Sequence, residues 1–82
     1  MFKIYSRPNC TYCVSAKKLL ESKGLAYVEL EVGRDVTTEM LLEVVPGART
    51  VPQIFQDEQY VGGYNDLVER LKNNDPTRYL AE

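Results

Sequence analysis

The first 32 residues hold two short strand-like segments with one helical segment between them, and that order leaves few folds open. Phe2-Lys3-Ile4-Tyr5 alternates apolar bulk and predicts a short strand. Ser6-Arg7-Pro8-Asn9 reads as a turn, in which Pro8 fixes its own φ and Asn9 is a residue type suited to capping a helix. Cys13, Ala16 and Leu20 then recur at i, i+3 and i+7, with Leu19 beside them. They predict a helix from about Thr11 to Lys23, closed by Gly24 in the left-handed conformation. Tyr27 to Val32 is β-branched and aromatic, with Glu29 and Glu31 alternating outward, and predicts a second strand. Strand, helix and strand over about 30 residues make a right-handed crossover between two parallel strands.

The remainder extends that unit. Gly33-Arg34-Asp35 is a loop, and Thr37 can cap a second helix over roughly 38–45. Leu41, Val44 and Val45 are expected to face inward, Glu39 lies near the positive end of the helix dipole, and Pro46-Gly47 ends the element. Pro52 to Phe55 predicts a third strand and Gln59-Tyr60-Val61 a fourth. Asp57-Glu58 forms the tight turn of an antiparallel hairpin between them. After Gly62-Gly63, the i, i+3, i+4, i+7 stripe of Tyr64, Leu67, Val68 and Leu71 predicts a third helix, stopped by Asn73-Asn74-Asp75-Pro76. At 82 residues, this is one small domain over 1–82, with 77–82 as a frayed tail.

Charge and composition exclude several function classes. Ten basic against twelve acidic residues give net −2, without the basic excess of a nucleic-acid binder. Residues 1–24 nevertheless carry five basic residues against Glu21 alone, a local +4, and both cysteines lie there. The absence of histidine removes Ser-His and Cys-His nucleophile pairs and every His-ligated metal site. No apolar run approaches the ~18–20 residues of a membrane span. MFKIYSRPNC is too short and too polar for a secretory signal, so the expected compartment is the cytoplasm, with no membrane partner.

Three motifs carry chemistry. Cys10-Thr11-Tyr12-Cys13 sits between strand and helix, where unpaired backbone N–H groups and the helix dipole stabilise an anion, and the thiolate is the reactive form of cysteine. Arg7 and the basic segment push the same way. Cys13 can reach Cys10 from one turn further on, so the pair can close a disulfide and reopen it. A zinc half-site and two inert thiols are the alternatives. One CxxC supplies two of the four ligands a structural zinc needs, and its loop is too short for much entropic stabilisation of the fold, so redox chemistry is the favoured reading. Thr50-Val51-Pro52 holds Val51 extended, able to offer its N–H and C=O to an incoming peptide. Gly62-Gly63-Tyr64-Asn65-Asp66 opens a helix with N–H groups that can bind a carboxylate, while Asp66 can meet an ammonium group. The last two motifs, taken singly, also fit an ordinary strand start and an ordinary helix cap.

Taken together, CTYC, TVPQIF about 40 residues on, and GGYND at the last helix resemble a glutaredoxin over nearly the whole chain, from Phe2 to about Lys72. The resemblance implies an α/β, thioredoxin-like fold: a four-stranded mixed sheet flanked by three helices, with a cis peptide before Pro52. It implies glutathione as co-substrate, with no tightly bound cofactor and no metal. Cys10 would be the nucleophile and Cys13 the resolving thiol. Val51 would pair its backbone with the cysteinyl part of glutathione, in a contact region that also takes in Thr50, Pro52 and Gly63. Asn65 and Asp66 would hold the γ-glutamyl head, Arg7 would face the glycyl carboxylate, and Tyr12 would line the groove. The function implied is a glutathione-dependent thiol–disulfide oxidoreductase acting as a monomer on protein disulfides, with ribonucleotide reductase as the protein substrate the family suggests.

Two positions depart from the pattern. Thr11 stands where the family usually has proline, which would pre-set the first helical turn. Leu42 stands on the second helix where a polar glutathione contact is often found, and Arg49 is the nearby candidate to compensate. Competing functions are a thioredoxin mimic reduced by a flavoprotein reductase, an iron–sulfur carrier bridging two chains through Cys10, and a purely structural subunit. GGYND and Arg7 argue against the first. The iron–sulfur carriers resemble a single-cysteine motif with glycine and phenylalanine, which is absent here.

Overall fold

A computed structural model of the chain describes residues 1–73. The order is β1 (Phe2–Ser6), α1 (Thr11–Ser22), β2 (Tyr27–Glu31), α2 (Thr38–Val44), β3 (Gln53–Gln56), β4 (Gln59–Gly62) and α3 (Tyr64–Asn73). The four strands form one sheet in the order β2-β1-β3-β4. β1 runs parallel to β2, with Ile4 opposite Glu29, and antiparallel to β3, with Ile4 opposite Ile54. β3 and β4 make the antiparallel hairpin, turning at Asp57 (φ 54°), a residue type that tolerates the left-handed region.

Strand periodicity divides the apolar residues between two faces. Phe2, Ile4 and Ile54 meet Ala16 and Leu20 of α1 and Leu67 of α3 in one core. Tyr5 and Val32 meet Leu41 of α2 and Val45, just past its end, on the other face. So α1 and α3 cover one side of the sheet and α2 the other. This arrangement sets the ends of β1 and β3, the start of α1 and the start of α3 around one point.

Several expectations are corrected at the level of faces and caps. Asn9 does not cap α1: it takes φ 60° in the turn, and Cys10 is the cap. Val44 is 47% exposed, because a helix of seven residues turns Leu41 and Val45 to the sheet and leaves Val44 beside them on the outside. Glu29 does not point outward. It lies level with Ile4 on the face that α1 covers, and there it meets Ser6 and Lys17. Boundaries shift by a residue: α1 ends at Ser22, β3 begins at Gln53 and β4 reaches Gly62. Gly24 does take the left-handed conformation expected of it (φ 68°). The Asn74-Asp75-Pro76 stop and the 77–82 tail lie outside the described residues. No helix among the described residues is long and apolar enough to cross a membrane.

Candidate active site

Cys10 and Cys13 are joined as a disulfide at the start of α1. The chain arrives on buried Ser6, turns through Pro8 and Asn9, and presents Cys10 as the N-cap with extended backbone. The sulfur of Cys10 accepts the N–H of Cys13 at 3.1 Å. An N-cap side chain ordinarily uses oxygen for this contact; here sulfur does, so one N–H of the first turn is already aimed at Cys10 Sγ. No acidic residue stands in that turn to oppose negative charge. The two sulfurs differ in access. Cys13 is 2% exposed and packed toward the sheet, whereas Cys10 is part-exposed at the rim.

The Thr50–Pro52 segment faces this disulfide. The Val51–Pro52 peptide is cis, and Cys10 Sγ lies 3.7 Å from the Val51 carbonyl oxygen. Gln53 holds the segment in place from below. It is buried, its amide donates to the Thr50 carbonyl at 2.9 Å, and its own carbonyl accepts the Tyr60 hydroxyl at 2.5 Å. Sequence reasoning passed over Gln53; a polar residue inside the apolar run PQIF was the available signal.

Two hollows flank Val51. The larger, about 320 Å³ and open to solvent, is lined by Tyr12, Thr50, Val51, Pro52, Gly63, Tyr64, Asn65 and Asp66. Just before this lining, Gly62 is buried at φ 122°, where a side chain would be strained and would overlap Asp66. Asp66 has a structural duty as well: its Oδ2 accepts the Gly63 N–H at 3.0 Å, the reciprocal half of a helix cap. Tyr12 and Tyr64 bring their rings to 5.9 Å across the mouth. Tyr64, part of the apolar stripe of α3, packs against the core as that stripe predicts and is also half of an aromatic rim. Its place directly after two glycines was the clue.

The smaller hollow, about 140 Å³, is lined by Arg7, Thr38, Leu41, Ala48, Arg49, Thr50 and Val51. Arg7 is oriented there by α2, through Nη2 donating to Thr38 Oγ1 at 3.2 Å. Leu42 is exposed and does not line this hollow. All eleven sequence-derived site residues therefore fall around one sulfur–Val51 axis. The carboxylate of Asp66 lies on one side of Val51 and the guanidinium groups of Arg7 and Arg49 on the other. Among the described residues, no three His, Cys, Asp or Glu side chains converge to hold a metal ion.

The family model for glutaredoxin matches residues 2–61. Glutaredoxin 3 of Escherichia coli is 42% identical over 65 residues, covering 79% of this chain and 78% of that protein. The hybrid peroxiredoxin hyPrx5 of Haemophilus influenzae is 41% identical over 64 residues; the match covers 78% of this chain but only 26% of that longer protein. Among solved structures, a buckwheat glutaredoxin–glutathione complex superposes with a TM-score of 0.76 at 27% identity, covering 98% of this chain and 76% of that one.

Proposed function

The chain belongs to the glutaredoxin family, whose members are thiol oxidoreductases, and on that premise we propose that it spends glutathione to reduce glutathione mixed disulfides and protein disulfides through Cys10 and Cys13. The observation that carries the reading is the charge order along the Val51 axis. Asp66 and the α3 N-terminus suit an ammonium–carboxylate head, Val51 offers its backbone, and Arg7 and Arg49 suit a terminal carboxylate. Glutathione carries those groups in that order, and the buckwheat relative is a glutathione complex.

The chemistry follows from the two sulfurs. In the dithiol form, Cys10 as thiolate attacks the sulfur of a mixed disulfide and releases the substrate thiol, which takes up a proton. Glutathione remains bonded to Cys10. A second glutathione thiolate attacks that bond, forms glutathione disulfide and returns Cys10. With a protein disulfide, Cys13 displaces the target from Cys10, closing the disulfide seen here, and two glutathiones reopen it. The partial exposure of Cys10 and the burial of Cys13 support these roles. Ribonucleotide reductase is the protein substrate the family likeness points to. The setting proposed is the reducing cytoplasm, where protein disulfides are transient and catalytic, with the chain acting as a monomer.

A coupled assay on a small glutathione mixed disulfide tests this. Activity is expected with glutathione and its reductase as electron source, and not with a flavoprotein thioredoxin reductase. It should survive Cys13→Ser and vanish with Cys10→Ser. Protein disulfide reduction by the two-thiol route should need both cysteines. Equal loss of both activities in Cys13→Ser, or either activity retained in Cys10→Ser, overturns the roles.

A further inference from the structure

The face of α1 that meets the sheet contains one charged side chain. Cys13, Ala16, Lys17 and Leu20 fall at i, i+3, i+4 and i+7; Cys13, Ala16 and Leu20 are buried, and Lys17 is only 26% exposed. Its ammonium donates to Glu29 Oε2 at 3.0 Å, and the same oxygen accepts the Ser6 hydroxyl at 2.7 Å. Ser6 is 1% exposed and stands four residues before Cys10; the Glu29 side chain is 29% exposed. The cluster joins the strand that enters the active-site turn, the edge strand beside it, and α1 one turn beyond Cys13. Arg34 is the other cation near Glu29, and it is taken up by Asp35 and Glu31 at the surface. No step of the chemistry above uses Lys17, Glu29 or Ser6.

We propose that Glu29 neutralises Lys17 beneath Cys13 and thereby sets the reduction potential of the Cys10–Cys13 pair. Side chains on a helix lean toward its N-terminus, so Lys17 reaches back over the turn that holds Cys13. Without its counter-charge, that ammonium favours thiolate character at Cys13 once the disulfide opens. Stabilising the reduced form makes a disulfide more oxidising. Glu29 cancels the cation and keeps the pair more reducing. Glu29 and Lys17 are thus positioning residues, acting on Cys13 through charge. The inference rests on reading the two cysteines as a redox pair, not on glutathione recognition.

The test equilibrates the protein with 2-mercaptoethanol and its disulfide at pH 7, an exchange that needs no glutathione site. One protein disulfide and two mercaptoethanol thiols give one protein dithiol and one mercaptoethanol disulfide. The dithiol fraction is read by alkylation and intact mass. Glu29→Gln keeps the hydrogen-bonding shape and removes the charge. It should move the equilibrium about tenfold toward the dithiol, or roughly 30 mV. Lys17→Met should move it the opposite way, Lys17→Arg should match the wild type, and the Glu29→Gln, Lys17→Met pair should return to within about twofold of it. Shifts of the same sign in Glu29→Gln and Lys17→Met overturn the proposal. So does an unmoved equilibrium in both accompanied by lower melting temperatures, which is the signature of a structural clamp. Failure of the glutathione assay with these shifts intact counts against the proposed function alone.

Discussion

Cys10 is both the cap of α1 and one half of its disulfide. Its sulfur already accepts the Cys13 N–H, at a helix start free of acidic residues. In the reduced protein, that geometry stabilises a thiolate, so a pKa well below the ~8.5 of a free thiol is expected. Thiolate absorbance followed against pH in Cys13→Ser reads it directly; a midpoint near 8.5 contradicts the account. Asp66 calls for a finer variant than alanine, because its carboxylate also caps α3 through the Gly63 N–H. Asp66→Asn retains an acceptor and loses the charge. It should raise the apparent KM for glutathione a few-fold at low salt, with a smaller effect at high salt, and leave the alkylation rate of Cys10 by a neutral reagent unchanged. An unchanged KM with slowed alkylation would make Asp66 a support of the fold only. At this scale the cysteine spacing singles out Cys10 and Cys13, whereas the paired glycines alone fit an ordinary helix cap just as well. The sequence does not announce which of Asn9 and Cys10 caps α1. Asn serves both as a cap and in the left-handed region, and the turn needed a positive φ at that position.

The second helix shows how an element can be right in place and wrong in face. Its cap was legible: Thr37 Oγ1 accepts the Met40 N–H at 3.1 Å. With only seven residues, however, the apolar run offers more candidates than the inner face can hold. Leu41→Ala should cost about 2–4 kcal/mol of stability, whereas exposed Val44→Ala should stay within about 0.5 kcal/mol, in urea unfolding. A large cost at Val44 would reverse the assigned faces. β2 hid its inner face for a different reason: alternation marks two faces but does not say which one is covered, and a glutamate normally marks the outside. Here Ser6 and Lys17 satisfy Glu29 and hold its carboxyl below its ordinary 4.5. A carboxylate whose pKa is lowered by folding stabilises the native state above the unfolded value, and that contribution is lost as pH falls through the folded value. The stability gap between wild type and Glu29→Gln should therefore be complete at pH 7 and close as the medium is acidified below about 4.5. A gap independent of pH would place the effect in packing.

Across the whole molecule, the order β2-β1-β3-β4 is what makes three distant motifs one site. β1 delivers the cysteines, the chain entering β3 brings Val51 to within 3.7 Å of Cys10, and β4 ends in the glycines that start α3 beside both. That convergence was readable once strand, helix and strand implied a parallel pair and the hairpin an antiparallel one. The basic bias of residues 1–24 was readable too, whereas the placing of Asp66 on one side of Val51 and Arg7 and Arg49 on the other needed the fold. The central claim is that Cys10 carries glutathione while Cys13 resolves. Its most direct measurement is the intact mass of reduced Cys13→Ser after exposure to glutathione disulfide, followed by peptide mapping and then by added glutathione. The account predicts one glutathione per chain, on Cys10, removed by glutathione within the assay time. Absence of an adduct under conditions that modify a free cysteine, or an adduct that glutathione does not release, would contradict it.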